Sequence, residues 1–237
     1  MTLTCNQCSA PLPPRHPTDE AVTCHYCGTV RALPRARRPD VISALDFSSS
    51  TVPGWRTTKH ATYDFGGSPP RMTARLDGDL SRSLYTILKT EGTYDEVDAA
   101  VTIRFVEGKG GTKESFHIKA GFSLRLQAGT SHCYVCTITD DGWIGVGAID
   151  AGDGKDKWVN LVKRTRFSGL KTGWGDPNRL RFVARGDRLQ VFANDQLAAS
   201  LRDDRFGAGR VELLVNPAGE TACVAFSDLV LKQPTGD

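Results

Sequence analysis

The twenty residues from Asn178 to Leu197, NRLRFVARGDRLQVFANDQL, decide the fold class. Leu180, Phe182 and Ala184 alternate with Arg179, Arg181, Val183 and Arg185. A period of two puts the apolar set on one face of an extended strand and the mainly polar set on the other. Gly186-Asp187 interrupts the pattern as a turn. The segment from Leu189 to Leu201 then reads as a hairpin turning at Asn194-Asp195, two residues that tolerate left-handed backbone.

The same alternation recurs upstream. Val97, Ala99, Val101, Ile103 and Phe105 alternate with Glu96, Asp98, Ala100, Thr102 and Arg104. Phe122, Leu124 and Leu126 alternate with Ser123, Arg125 and Gln127. Gly and Asp clusters punctuate the strands at 108–111, 140–142, 150–154 and 186–187. No segment offers an amphipathic helix of three turns. From about residue 41 onward, ten to fourteen short strands predict two antiparallel sheets packed face to face, a mainly β protein.

The 237 residues allow one large domain, or a small one and a larger one. Thirty Lys and Arg against 27 Asp and Glu leave a charge of +3, too balanced for a surface coated all over by nucleic acid. Hydrophobic residues at 39% and charged residues at 24% fit a folded globule and not a disordered chain. No apolar run approaches the roughly 18 residues of a membrane span. The start, Met1 to Cys5, has neither a basic n-region nor an apolar h-region, so the expected location is cytoplasmic.

Four of the seven cysteines lie in the first 27 residues, as Cys5-Asn-Gln-Cys8 and Cys24-His-Tyr-Cys27, with fifteen residues between the pairs. Two residues between thiolates let one tight turn present both sulfurs to one ion, and two such turns complete a tetrahedron. The spacing predicts one structural zinc ion held by Cys5, Cys8, Cys24 and Cys27, with no open position for water. Gly28 stands where such a turn needs positive φ, and Ser9 stands at the equivalent place after the first pair. His25 reads as an exposed turn residue, since four Cys fill the shell. Two disulfides are the other reading of the pairs; a redox-active CxxC lacks its βαβ context. Cys133 and Cys136 share the C-x2-C spacing, but on a strand they point to opposite faces and read as separate buried thiols. Cys223, in Cys223-Val-Ala-Phe226, reads as core.

Residues 31–40, Arg-Ala-Leu-Pro-Arg-Ala-Arg-Arg-Pro-Asp, read as a stiff solvated linker. The domain boundaries are therefore 1–30 for the zinc-binding module, 31–40 for the linker and 41–237 for the β-sandwich. Arg35, Arg37 and Arg38 are the candidate nucleic-acid contacts of that linker.

Two family resemblances follow from these residues. Cys5-Asn-Gln-Cys8-Ser-Ala-Pro-Leu12 and Val22-Thr-Cys-His-Tyr-Cys-Gly-Thr-Val30 resemble a bacterial zinc ribbon over about 30 residues. The series Gly121 to Arg125, Cys133 to Ile138, Asp140-Asp-Gly-Trp143, Asn178 to Leu197, Asp203 to Gly209 and Val224 to Leu231 resembles the concanavalin A-like lectin/glucanase jelly roll. It is closest to the laminin-G-like and 3-keto-disaccharide hydrolase type. Asp195 stands where those families carry Gly, and Ser227 where they carry Asp. The shared motifs are turns and core positions, so the resemblance implies a fold more than a function.

Three functions are open, and so is a purely structural role in a larger assembly. The favoured one is non-enzymatic binding of a protein or carbohydrate by the sandwich, with the ribbon as a docking module. Trp143, Trp158 and Trp174, all near turns, are the candidate ligand platforms. The second is glycoside processing by Glu96 and Asp98, which share a strand face about 6–7 Å apart. Glucanases of this fold carry an E-x-D-x-x-E strand, and here the third carboxylate is replaced by Val101. The third is nucleic-acid binding through the ribbon and linker. Asp150, Asp153 and Asp156 invite a calcium site but lack EF-hand spacing. Residues 155–171 hold six Lys and Arg against Asp156 alone, an outer face open to an anionic partner. Oligomeric state is not legible.

Overall fold

In the computed structural model, the structure describes residues 4–5, 7–12, 21–32, 41–77, 83–108, 117–150, 157–218 and 221–235. The chain divides into two compact units, Met1–Asp40 and Val41–Asp237. Arg35, Arg37, Arg38, Asp153 and Asp156 lie outside the described residues.

The first unit has one hairpin, β1 (Ala21–Thr23) against β2 (Val30–Ala32), with Val22 opposite Arg31. Arg31 and Ala32, expected at the start of the linker, thus extend a strand, because the turn at Cys24–Gly28 sets their register. Among the described residues the apolar interior is small: Leu12 and Val22 with Cys5 and Cys24, and Ala10 against them.

Among the described residues the second unit contains fifteen strands and no helix. They begin with β3 (Val41–Leu45), β4 (Trp55–Thr57), β5 (Thr62–Gly66), β6 (Arg71–Leu76), β7 (Tyr85–Thr90) and β8 (Val97–Gly108). β9 (Lys119–Leu126), β10 (Cys133–Thr139), β11 (Trp143–Asp150) and β12 (Lys157–Arg166) form a meander. The chain ends with β13 (Asn178–Arg185), β14 (Arg188–Ala193), β15 (Gln196–Arg202), β16 (Arg210–Asn216) and β17 (Ala222–Lys232). The count exceeds the expected maximum because strands as short as β4 carry no readable alternation.

Every pairing is antiparallel, in two sheets. One runs β12-β11-β10-β9-β16-β7-β4; the other runs β15-β14-β13-β8-β17-β6-β5, with β3 also on β17. The sheets meet through their alternating apolar faces. Val97, Ala99, Val101, Ile103, Leu180, Phe182 and Phe226 pack with Phe122, Tyr134, Cys136, Ile138 and Leu213 in one core. Each such side chain contributes about 1.5–3 kcal/mol on burial.

Two irregularities shape the sheets. Asp228, at φ 52°, marks a register shift in β17. β17 therefore pairs with β6 through Phe226 and with β3 from Leu229 onward. Arg125, at φ 57°, breaks the alternation of β9. Leu126 consequently leaves the core expected for it and joins Cys133, Val135 and Leu214 on the outer face of the seven-stranded sheet. The Asn194-Asp195 turn adopts φ 48° and 64°, as both residue types allow.

Candidate ligand site and candidate metal centre

β10 shows how one strand serves two faces. Tyr134, Cys136 and Ile138 enter the core, while Cys133, Val135, Thr137 and Thr139 face outward. The cysteines are thus separate buried thiols, and burial pushes the Cys136 thiol well up from its usual value, which leaves it inert. Cys223 is buried but not in the core: it follows Ala222 on the outer face of the eight-stranded sheet, near Arg75 and Glu107.

On the outer face of the seven-stranded sheet lies a cavity of about 310 Å³. Thr137 and Thr139 of β10, Gly145 of β11, Lys119 of β9 and Asn216 of β16 form its floor and sides, with Leu84 preceding β7. Trp158, Asn160 and Arg164 of β12 close the other side. A Cβ on Gly145 would meet nothing within 4 Å, so the floor there is bare backbone. A Cβ on Gly147 would lie 2.3 Å from Trp158 Cζ2, so the indole rests on that glycine. Trp158 Nε1 donates to Asn160 Oδ1 at 2.7 Å, which fixes the ring in its plane. Trp158 is 44% exposed.

The other two candidate tryptophans are placed differently. The guanidinium of Arg164 lies 5.1 Å from the Trp143 ring centroid, so that ring is covered by a cation. Trp174 is exposed on the segment before β13 and does not line the cavity. Glu96 and Asp98 do not line it either. Asp98 faces outward from the eight-stranded sheet in a bidentate pair with Arg181, at 2.7 and 2.8 Å, and Glu96 precedes β8. Asp150 ends β11.

Beside the cavity, His117 Nδ1 sits 3.1 Å from Asp140 Oδ1 and its Nε2 sits 3.2 Å from Asp141 Oδ2. Thr139 Oγ1 donates to Asp141 Oδ1 at 2.7 Å. Burial raises the Asp140 carboxyl, partly offset by His117. These carboxylates are engaged with one imidazole and do not line the cavity.

Glu212 lies on the same sheet face, four residues from Asn216 and so about 13 Å along β16. Its Oε2 accepts from Ser123 Oγ and Thr86 Oγ1, each at 3.1 Å, and burial raises its pKa. The fold therefore favours the acid form. That contribution is complete below the ordinary value of 4.5 and is lost as pH rises through the raised one. Glu212→Gln keeps an acceptor for both hydroxyls and removes the buried charge. It should raise the Tm at pH 7 and leave it unchanged at pH 4; a lower Tm at pH 7 would show that the carboxylate itself is needed.

In the first unit, the ligand atoms of Cys5, Cys8, Cys24 and Cys27 all lie within 4.8 Å of one another. Cys5 and Cys27 Sγ are 3.7 Å apart, and Cys8 and Cys24 Sγ 3.6 Å. A Zn–S bond of about 2.3 Å gives a tetrahedral edge of about 3.8 Å, whereas a disulfide needs about 2.05 Å. The donor set fits a tetrahedral thiophilic ion. The two turns match: Ser9 N donates to Cys5 O and Gly28 N to Cys24 O, both at 2.9 Å. Ser9 takes φ 57° where Gly28 takes 71°, so the serine adopts the glycine conformation. His25 is exposed.

No family model matches the chain, and no curated protein is similar to it in sequence. Solved structures are similar in fold. A carbohydrate binding module from Bacillus subtilis superposes with a TM-score of 0.55 at 17% identity, covering 76% of this chain and 96% of that one. A Bacillus licheniformis beta-glucanase gives 0.54 at 12%, covering 84% and 100%. The botulinum neurotoxin type G receptor binding domain gives 0.54 at 12%, covering 84% of this chain and 49% of that one. At such identities the likeness is one of fold, a concanavalin-like jelly-roll sandwich.

Proposed function

We propose that the sandwich is a non-catalytic carbohydrate-binding module whose ligand stacks on Trp158, and that the N-terminal unit is a docking module held together by one zinc ion. The lining of the cavity carries this reading. It combines an exposed, immobilised indole with the hydroxyl of Thr137 and the amides of Asn160 and Asn216. Thr137 makes no side-chain hydrogen bond among the described residues, so its hydroxyl is available to a ligand. Glycoside hydrolysis uses two carboxyl groups flanking the scissile bond, about 5–9.5 Å apart. No carboxylate is among the lining residues. The carbohydrate binding module with the same fold supports the reading. Sandwich cysteines that form no disulfide, and a thiolate-held ion in the ribbon, suit a reducing compartment.

The test is binding of the purified protein to an array of oligosaccharides, followed by titration of the best ligands. Trp158→Ala should weaken binding about thirtyfold, corresponding to about 2 kcal/mol for loss of a central aromatic anchor, with the Tm nearly unchanged. Gly147→Ala should weaken it too, because the new methyl lifts the indole from its seat. Wild-type affinity in Trp158→Ala would move the site elsewhere.

A further inference from the structure

Resting on that reading, we infer that the cavity selects a saccharide bearing a negative charge, a carboxylate or a sulfate ester, received between Lys119 and Arg164. Both cations line the cavity, Lys119 from β9 and Arg164 from β12, with β11 and β10 between those strands. Lys119 starts β9, opposite Thr139 and Asn216, and its ammonium has no ion-pair or hydrogen-bond partner among the described residues. Burial, and then the charge of Arg164, lower its pKa. A half-buried ammonium facing a second cation is an unfavourable arrangement for the empty protein. An anion between the two relieves it.

Arg164 is likewise under-committed. Its guanidinium covers Trp143, and one nitrogen reaches Asp141 only at 4.0 Å. Its Nε is buried without a hydrogen-bond partner among the described residues. The carboxylates that could neutralise the pair, Asp140 and Asp141, are held by His117 and Thr139. The guanidinium fork and the ammonium therefore present donors, and no acceptor carboxylate, to whatever stacks on Trp158. Uronates and sulfated sugars share the required chemistry: an anionic group on a ring whose apolar face can stack on an indole.

The experiment compares ligands that differ only in charge. Full-length protein is titrated by calorimetry with an oligogalacturonide, its methyl ester, a sulfated oligosaccharide and its desulfated form, and separately with mononucleotides. At least one charged sugar should bind about tenfold or more tighter than its uncharged partner, with the advantage shrinking as salt rises. Which charged sugar gains tells carboxylate from sulfate. Lys119→Gln and Arg164→Gln, each checked for unchanged Tm, should cut that advantage to twofold or less while uncharged sugars bind as before. Trp158→Ala should weaken both classes. Equal binding of charged and uncharged sugars overturns the inference and leaves the carbohydrate reading standing. Tighter binding of mononucleotides than of any acidic sugar overturns the inference, and failure of every saccharide to bind overturns both.

Discussion

Removal of zinc by a strong chelator is expected to unfold the N-terminal unit completely while the sandwich keeps its Tm. Among its described residues the unit buries only two large aliphatic side chains, Leu12 and Val22, beside two of its own cysteines. At about 1.5–3 kcal/mol each, those side chains do not offset the cost of ordering even ten residues at about 1 kcal/mol apiece. A four-thiolate zinc site supplies about 10–16 kcal/mol at neutral pH, and that energy is released only when all four sulfurs converge. The amide NMR signals of residues 4–12 and 21–32 should therefore collapse to random-coil shifts after chelation and return on adding Zn2+. Signals from the core of the sandwich should not move. Substituting Ser for Cys24, the most buried of the four ligands at 1% exposure, should do the same permanently. Unchanged amide shifts in a demonstrably metal-free protein would mean that the hairpin stands by itself, and the metal would lose its structural role.

The second large effect belongs to Arg125. This arginine is 2% exposed, and its guanidinium donates to three backbone carbonyls: Asp95 O at 3.0 Å, Phe206 O at 3.0 Å and Gly186 O at 2.8 Å. These carbonyls belong to the segment before β8, the turn after β13 and the segment before β16. One side chain thus braces three loops that the backbone joins only through the Tyr94–Gly209 bridge and the bond from Asp203 N to Asp187 O among the described residues. Arg125→Ala leaves three carbonyls short of a charged donor and empties the space of the guanidinium. The expected cost is about 4 kcal/mol, or a Tm lower by roughly 8–16 °C for a unit of this size. Arg125→Gly should cost about 1 kcal/mol less than Arg125→Ala, because glycine accepts φ 57° without strain. The control is Arg56→Ala, which removes an exposed pair with Glu91 and should change stability by no more than about 1 kcal/mol. Thermal unfolding of the four proteins decides the matter. Equal Tm values for Arg125→Ala and Arg56→Ala would show that water replaces the guanidinium without loss.

Much of the fold was legible because strand faces and turns are local properties. The alternation of Val97 to Phe105 and of Leu180 to Ala184 names residues that do enter the core. The Asn194-Asp195 turn was equally legible, since positive φ at both positions selects such residues. Reading failed where one backbone angle resets the period. Alternation sends Leu126 into the core, yet a left-handed Arg125 turns it to the opposite face. Arg125 itself reads as one more polar-face charge, because nothing local reveals three carbonyls contributed by distant loops. Cys223 reads as core for a similar reason: an apolar run shows burial but not which side of the sheet a residue takes.

The candidate site was legible only in part. Three tryptophans near turns are equivalent on paper. Trp158 alone of the three lines the cavity, because Gly147 across the β11–β12 ladder leaves room for its ring. Lys119, Arg164, Thr137 and Asn216 come from four strands spread over about a hundred residues, and no spacing along the chain signals their meeting. Only the basic bias of residues 155–171 pointed toward Arg164.

The amino-acid order by itself determined two things: that Cys5, Cys8, Cys24 and Cys27 can clamp one ion, and that the body is built of two-faced strands. Both depend on neighbours within a few residues, where chain geometry leaves little choice. Which outer face carries a cavity, which indole is seated and which cations line it were decided by the tertiary structure. Those outcomes depend on strand order and register, set by the global packing of the two sheets rather than by any local stretch of chain.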